Sequence, residues 1–286
     1  MSDNTPIVQL SPIVIEAAVT AALREDLGDA GDITSNATIS ADAQTRGAIV
    51  ARKAGVIAGV DVARAAFQLV DPDINVTIVN GDGSSVRPGD TVLTLDGPAR
   101  GILSGERVAL NFLCHLSGIA TATRALVDAV AGTNAKIVGT RKTTPGLRAF
   151  EKFAVRCGGG SSHRFGLYDG VMIKDNHVAA AGGVAPALKA ARDAVGHMVK
   201  IEVEIDRLDQ LDAALEGGGD VIMLDNMAPE EMRKAVAKTN GRAILEASGN
   251  VSLDSVRAIA ETGVDVISSG SITHSAPTLD LGLDFE

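Results

Sequence analysis

The sequence predicts an α/β protein whose larger, C-terminal part is a β/α barrel, and three observations carry that prediction. From residue 136 onward, short apolar runs alternate with amphipathic helical stretches. The last of these runs recur roughly every 20 to 25 residues, the spacing of consecutive βα units. Nearly every run ends in charged or Ser/Gly residues.

Taken in order, residues 11–23 (SPIVIEAAVTAAL) read as an amphipathic helix that soon meets Arg24, Glu25 and Asp26. Residues 46–96 hold RGAIVARKAGVIAG and NVTIVNGDGSSVRPGDTVLTLDG. Their Gly-Asp-Gly and Arg-Pro-Gly-Asp turns are the grammar of antiparallel strands. A helix, VDVARAAFQLV, lies between them, and a longer one spans 104–130 from a Ser-Gly-Glu start. The predicted parallel strands are KIVGT (136–140), GVMIK (170–174), VKIEVE (199–204), DVIML (220–224), AILEA (243–247) and DVISS (265–269). Between them stand the helices LDQLDAALEGG, PEEMRKAVAKT and SLDSVRAIAETG. Strands that are apolar throughout have both faces buried, which a barrel and a doubly wound sheet satisfy equally. Their tips favour the barrel. Arg141 and Lys142, Lys174, Glu204, Asp225, Ser248 and Gly249, and Ser269 and Gly270 each follow a strand. Only a barrel brings all strand C-termini to one rim.

Composition removes several functions. The net charge is −10, aromatic residues are 2% and Trp is absent, which suits neither a phosphate backbone nor base stacking, so no nucleic acid partner is expected. No run approaches the roughly 18 apolar residues of a membrane span, and no signal peptide is seen. Cys114 and Cys157 make no disulfide framework. A soluble, cytoplasmic protein without membrane association is expected.

The segment 141–174 reverses the sign of the chain. It carries Arg141, Lys142, Arg148, Lys152, Arg156, Arg164 and Lys174 against Glu151 and Asp169, with His163 adjacent. Such a reversal points to a polyanionic small molecule. Arginine forks suit carboxylates and lysine ammonium groups suit phosphates. The GGGSSHR stretch adds backbone amides. Glu204 and Asp225 can hold Mg²⁺, directly or through pyrophosphate or water, or the hydroxyls of a ribose. Ser248-Gly249-Asn250 and Ser269-Gly270-Ser271 sit where barrel enzymes build phosphate sites. His115 and His197 read as structural, and His177 either orients Lys174 or makes a satisfied polar contact. No set has zinc spacing.

Thr140-Arg141-Lys142-Thr143-Thr144-Pro145-Gly146-Leu147-Arg148, the GGGSSHRFGL run from Gly158 and Ile173-Lys174-Asp175-Asn176-His177 together resemble the quinolinate phosphoribosyltransferase family. So do Glu202-Val203-Glu204, Leu224-Asp225-Asn226, Glu246-Ala247-Ser248-Gly249-Asn250 and the closing THS…LDLGLDF. The likeness begins at REDLGDAGDITS and runs almost to the C-terminus. It implies an N-terminal α/β sandwich (1–117), an incomplete, seven-stranded β/α barrel (118–275) and a tail (276–286) returning to the first domain. Six strands are plain in the sequence, and the stretch Phe153–Cys157 is the candidate seventh. The resemblance further implies a homodimer in which Arg107 enters the partner's site. Arg107, Arg141, His163, Arg164 and Lys174 would then surround quinolinate. Thr140, Lys142, Glu204, Asp225, Ser248, Gly249, Asn250, Ser269, Gly270 and Ser271 would serve phosphoribosyl pyrophosphate and Mg²⁺, with no organic cofactor. Lys142, Lys174, Glu204 and Asp225 are the implied catalytic set. Ser162 stands where the family commonly has Asn, which puts that loop's hydrogen bonding in question.

Other readings remain. Nicotinate phosphoribosyltransferase would need only one carboxylate site, so the arginine excess argues against it. A molybdenum-transport-associated relative is nearer. A Schiff-base aldolase at Lys174 leaves Glu204, Asp225 and the Ser-Gly turns unexplained. A biotinyl- or lipoyl-like binding module is suggested by the 75–97 turns, but lacks a lysine at a hairpin tip.

Overall fold

The computed structural model describes residues 7–285, in two compact units. One comprises the chain up to Arg124, Ala149–Gly159 and the segment from Ala276; the other comprises Ala125–Arg148 and Gly160–Ser275. Among the described residues, no helix is long and apolar enough to cross a membrane.

In the first unit, α1 (Pro12–Leu27) starts with proline in its first turn, where a missing N–H costs nothing, and buries Ile15, Val19 and Leu23 at four-residue spacing. Helix α2 (Ile33–Thr38) is capped by Asp32, which accepts from the Thr34 and Ser35 N–H groups at 3.0 Å. Then follow β1 (Gln44–Ala51), β2 (Gly55–Val56), α3 (Val60–Val70), β3 (Asn75–Ile78), β4 (Ser85–Val86), β5 (Thr91–Pro98) and the long α4 (Ala99–Ala129). The C-terminal strand Leu281–Phe285 lies antiparallel to β1, β1 to β5 and β5 to β3, making a four-stranded sheet. The turns that looked like a carrier domain contribute β4, which pairs with β2, and β5. The sheet buries Ile49, Leu93 and Leu95, while α4 buries Ile102, Leu113, Leu116 and Ile119. Helix α4 begins five residues before its predicted start at 104.

Residues Phe153–Cys157, the expected seventh barrel strand, are helical instead: they end α5 (Arg148–Cys157). The reason is visible in the spacing. Phe150, Phe153, Ala154 and Cys157 fall three and four apart, so a helix buries all of them on one side. The Phe150 ring lies 5.8 Å from that of Phe112. Glu151, fully buried, is held by His115 Nε2 at 2.9 Å, which gives that histidine its structural role.

The second unit holds β6 (Lys136–Gly139), β7 (Ser161–Ser162), β8 (Val171–Ile173), α6 (Asp175–Ala181), α7 (Val184–Ala194) and β9 (Ile201–Ile205). It continues with α8 (Leu211–Glu216), β10 (Val221–Asp225), α9 (Pro229–Thr239), β11 (Ile244–Ser248), α10 (Leu253–Ala260), β12 (Val266–Ser269) and α11 (Ser271–His274). The seven strands form one parallel sheet in the order β7-β6-β12-β11-β10-β9-β8. The sheet curls into an incomplete barrel, open between β7 and β8, which residues 163–170 join. The true seventh strand is therefore Ser161–Ser162, paired with Val138 and Gly139. Alternate strand residues such as Val203, Leu224, Leu245 and Ile267 are buried, leaving their neighbours in sequence for the barrel interior.

Candidate active site

The strand ends surround a cavity of about 580 Å³. Thr140, Arg141 and Lys142 reach it from β6, His163 and Arg164 from the loop after β7, and Lys174 from the end of β8. Glu204, Asp225, Ser248, Gly249 and Asn250 complete the rim from β9, β10 and β11. Eleven of the residues singled out in the sequence thus share one space. Ser269, Gly270 and Ser271 do not line it, and Arg107 lies in the other unit, exposed on α4. The cavity also takes Met172, Met223, Asn226, Glu246 and Ser268, which sequence reasoning left without a role.

The basic segment divides by location. Arg148 braces loops, its Nε donating to Thr143 Oγ1 at 3.0 Å and its terminal nitrogens to the Phe165 and Arg141 carbonyls. Lys152 and Arg156 belong to α5 in the first unit. Arg141, Lys142, Arg164 and Lys174 remain for the cavity. Arg164 donates to the Gly170 carbonyl at 3.0 Å, yet its Nε is buried without a hydrogen-bond partner, and so is that of Arg141. Burial first, then the neighbouring Arg141 charge, pull Arg164 below the usual guanidinium range, against the attraction of Glu202 and Asp169. Two crowded guanidiniums with unmet donors are unfavourable by themselves and are relieved by an anion.

The Ser269–Ser271 turn acts beneath Lys142. A Cβ on Gly270 would stand 2.9 Å from Lys142 Cδ, so the absence of a side chain there leaves room for the lysine stem. Thr273 Oγ1 donates to the Lys142 carbonyl at 2.7 Å, and Thr140 Oγ1 accepts from the Lys142 N–H at 3.0 Å. The β10 and β11 tips are locked together. Asn226 and Asn250 adopt positive φ (53° and 49°), and Gly249 stands at 103°. Asn226 donates to Asp225 Oδ2 at 2.9 Å and accepts from Asn250 at 3.3 Å.

Lys174 Nζ sits 3.1 Å from Glu204 Oε2, and its backbone N–H donates to His177 Nδ1 at 2.9 Å. A lysine committed to an ion pair lacks the apolar surroundings that activate an imine-forming amine, which argues against the aldolase chemistry.

His163 is a hub. Its Nδ1 accepts from the Arg164 N–H at 2.7 Å, so the proton resides on Nε2, which donates to Glu202 Oε2 at 2.8 Å. The ligand-type atoms of His163, Glu202 and Glu246 lie within 4.8 Å of one another. With Nε2 carrying a proton, that nitrogen offers no lone pair to a metal. Burial first, then the charge of Glu202, push Glu246 up to about 7 from its ordinary 4.5, with His163 opposing. A raised carboxyl contributes stability below its unfolded value and loses it as pH rises through the folded one. Urea unfolding on either side of that window should therefore show the parent weakening as pH rises, and Glu246→Gln following this decline less steeply. Parallel slopes would contradict the assignment.

A half-barrel whose rim gathers arginine, lysine and carboxylate side chains defines an enzyme that processes a polyanionic small molecule. Family models identify which one. The quinolinate phosphoribosyl transferase C-terminal domain matches residues 119–284, and the N-terminal domain of the same family matches 32–117. The chain belongs to the quinolinate phosphoribosyl transferase family. The nicotinate-nucleotide pyrophosphorylase [carboxylating] of Mycobacterium leprae is 48% identical over 268 residues, covering 92% of this chain and 94% of that one. The probable nicotinate-nucleotide pyrophosphorylase [carboxylating] of Bacillus subtilis is 47% identical over 260 residues, covering 91% and 89%. The solved structure of the Francisella tularensis nicotinate-nucleotide pyrophosphorylase superposes with a TM-score of 0.94 at 37% identity, covering 99% of this chain and 100% of that one.

Proposed function

We propose that this chain transfers the phosphoribosyl group of phosphoribosyl pyrophosphate to quinolinate with loss of CO₂, yielding nicotinate mononucleotide and pyrophosphate. It is a pentosyltransferase of NAD biosynthesis. The observation that carries this reading is the pair of guanidiniums, Arg141 and Arg164, each with a buried and unpartnered Nε, in one cavity with Lys142, Lys174 and two tip carboxylates.

Arg141 and Arg164, with His163 and Lys174, hold the dicarboxylate, each fork matching a carboxylate edge. Lys142 and the Ser248-Gly249-Asn250 turn take phosphate groups of the second substrate, and Ser269-Gly270-Ser271 keep Lys142 in place. Glu204 and Asp225, hard oxygen donors on adjacent strands, orient the ribose hydroxyls and suit the Mg²⁺ that accompanies pyrophosphate, directly or through water. When bound there, Mg²⁺ would neutralise charge on the leaving group. The pyridine nitrogen attacks the anomeric carbon with its free lone pair, so no general base is required. Positioning and stabilisation of the departing charge account for the rate. The quaternised nitrogen then supports an in-plane carbanion as the adjacent carboxylate leaves, so no organic cofactor is needed. Arg107, exposed on α4, completes the partner's pocket in a homodimer. The enzyme works in the cytoplasm, in keeping with unpaired Cys114 and Cys157.

Protein, Mg²⁺ and phosphoribosyl pyrophosphate mixed with carboxyl-labelled quinolinate should release labelled CO₂ and pyrophosphate together. Nicotinate in its place should release neither. Pyrophosphate release with nicotinate, or silence with quinolinate, would sink the reading.

A further inference from the structure

Barrel interiors are usually filled by branched apolar side chains. Here β9 and β11 instead turn Glu202 and Glu246 inward, 5% and 3% exposed. His163 Nε2 lies 2.8 Å from Glu202 Oε2 and 3.7 Å from Glu246 Oε2. Glu246 Oε1 is buried and has no hydrogen-bond partner. A second cavity, of about 260 Å³, reaches this cluster from the other end of the strands. Its walls are largely Val138, Val171, Val221 and Val266, and it meets the surface at Lys200 and at Ile244, which is 44% exposed. His163, Arg164 and Glu246 line both cavities. Glu246 therefore touches the substrate cavity on one side and a separate approach from solvent on the other.

The reaction proposed above leaves one need unassigned. Once CO₂ departs, the ring carbon next to the nitrogen holds an electron pair that must receive a proton, while the bound reactants fill the cavity mouth. We infer that Glu246 is the acid that delivers this proton. The inference rests on the quinolinate reading. The bond between ring carbon and carboxylate breaks, and its electron pair stays on the ring carbon in the plane of the ring. A C–H bond then forms with the proton of the Glu246 carboxyl, leaving Glu246 ionised; until it forms, CO₂ still in the site recombines with the carbanion, so this protonation is what commits CO₂ to release. Water entering by the second cavity returns the proton.

The surroundings keep that proton available. Glu202 on β9 accepts the His163 N–H at 2.8 Å, and burial first, then the neighbouring Glu202 carboxylate, favour the proton on Glu246. His163 and Arg164, from the loop after β7, are the cationic or polar groups facing the cluster. Met223 on β10 and Ser268 on β12 flank it with nothing titratable. The carboxyl's rise to about 7 matches an acid that works near neutrality.

The test uses the full chain with Glu246→Gln, quenched through its first turnover with quinolinate, phosphoribosyl pyrophosphate and Mg²⁺. Pyrophosphate and CO₂ are measured in the same samples. The ratio of CO₂ to pyrophosphate in the first turnover should fall roughly a hundredfold below that of the parent, with the undecarboxylated mononucleotide accumulating between the two steps. CO₂ at the parental rate overturns the inference and leaves the reaction assignment standing. Absence of CO₂ from the parent protein overturns the assignment itself. If the variant loses both steps, the parent's first-turnover ratio of CO₂ to pyrophosphate decides. It must fall as pH rises past about 7; a constant ratio refutes Glu246 as the donor.

Discussion

Arg164→Ala is expected to lower kcat/KM for quinolinate roughly a thousandfold, about 4 kcal/mol, without weakening the unliganded protein. The guanidinium lies against Arg141, its Nε lacks a partner, and burial already works against its charge. Removing it relieves burial of a charge and a like-charge contact, which together outweigh the attraction of Glu202 and Asp169, and forfeits the 3.0 Å bond to Gly170. The free variant should therefore melt at or slightly above the parent. The bound state behaves differently, because a carboxylate that has left water would face a single arginine. Quinolinate should raise the melting temperature of the parent and leave that of Arg164→Ala unmoved. Arg164→Lys should recover only part of the loss, since an ammonium keeps the charge but not the planar fork. A variant that still binds quinolinate normally would remove Arg164 from the site.

The same variant tests the proposed homodimer. Arg107→Ala should be inactive too, although Arg107 lies outside the described cavity. After subunit exchange between the two variants, half of the dimers are mixed, and each mixed dimer carries one intact site. Activity should return to about a quarter of the parental value. No recovery under confirmed exchange would exclude a shared site.

How far the sequence reveals this arrangement depends on which period governs each residue. The apolar strands announce themselves, and so do the charged residues at their tips. The interior of the barrel was legible by the same rule. Side chains two positions apart on a strand share a face, so a tip residue implies its partner two before it. Glu204 points back to Glu202, Asp225 to Met223, Ser248 to Glu246, Lys174 to Met172 and Gly270 to Ser268, and of the residues so reached all but Glu202 line the catalytic cavity. What had no signal is β7, a two-residue strand of serines defined only by its pairing with β6. Residues 148–157 misled for the opposite reason. The apolar run from Phe153 to Val155 is by itself too short to tell one period from the other, and only the wider spacing from Phe150 to Cys157 singles out a helix. The accumulation of polar groups in the barrel core, at Glu202, Glu246 and Ser268, goes against simple packing. Such departures are expected where function sets the residue.

Gly118→Ala should destabilise the protein by about 3 kcal/mol and lower its melting temperature by roughly 5–10 °C. Gly118 lies in α4, where the C-terminal segment crosses the helix on its way to pair with β1. A Cβ there would collide with the Pro277 carbonyl oxygen and stand 2.9 Å from Thr278 Cα. Both obstacles are backbone, so no side chain can swing aside. Leu279 is fixed one step later, its N–H donating to the Cys114 carbonyl at 2.9 Å, and Leu281–Phe285 then pair with β1 along five residues. Relief must come from lifting the crossing off the helix, which loosens the edge strand of the four-stranded sheet. Hydrogen exchange should accelerate at 281–285 and along β1, while the strands of the barrel keep their protection. Gly196→Ala is the control, because nothing lies within 4 Å of the added carbon. It should leave the melting temperature unchanged or slightly raised. If Gly118→Ala melts with the control, the tight crossing of the C-terminal segment over α4 is not what holds that strand in place.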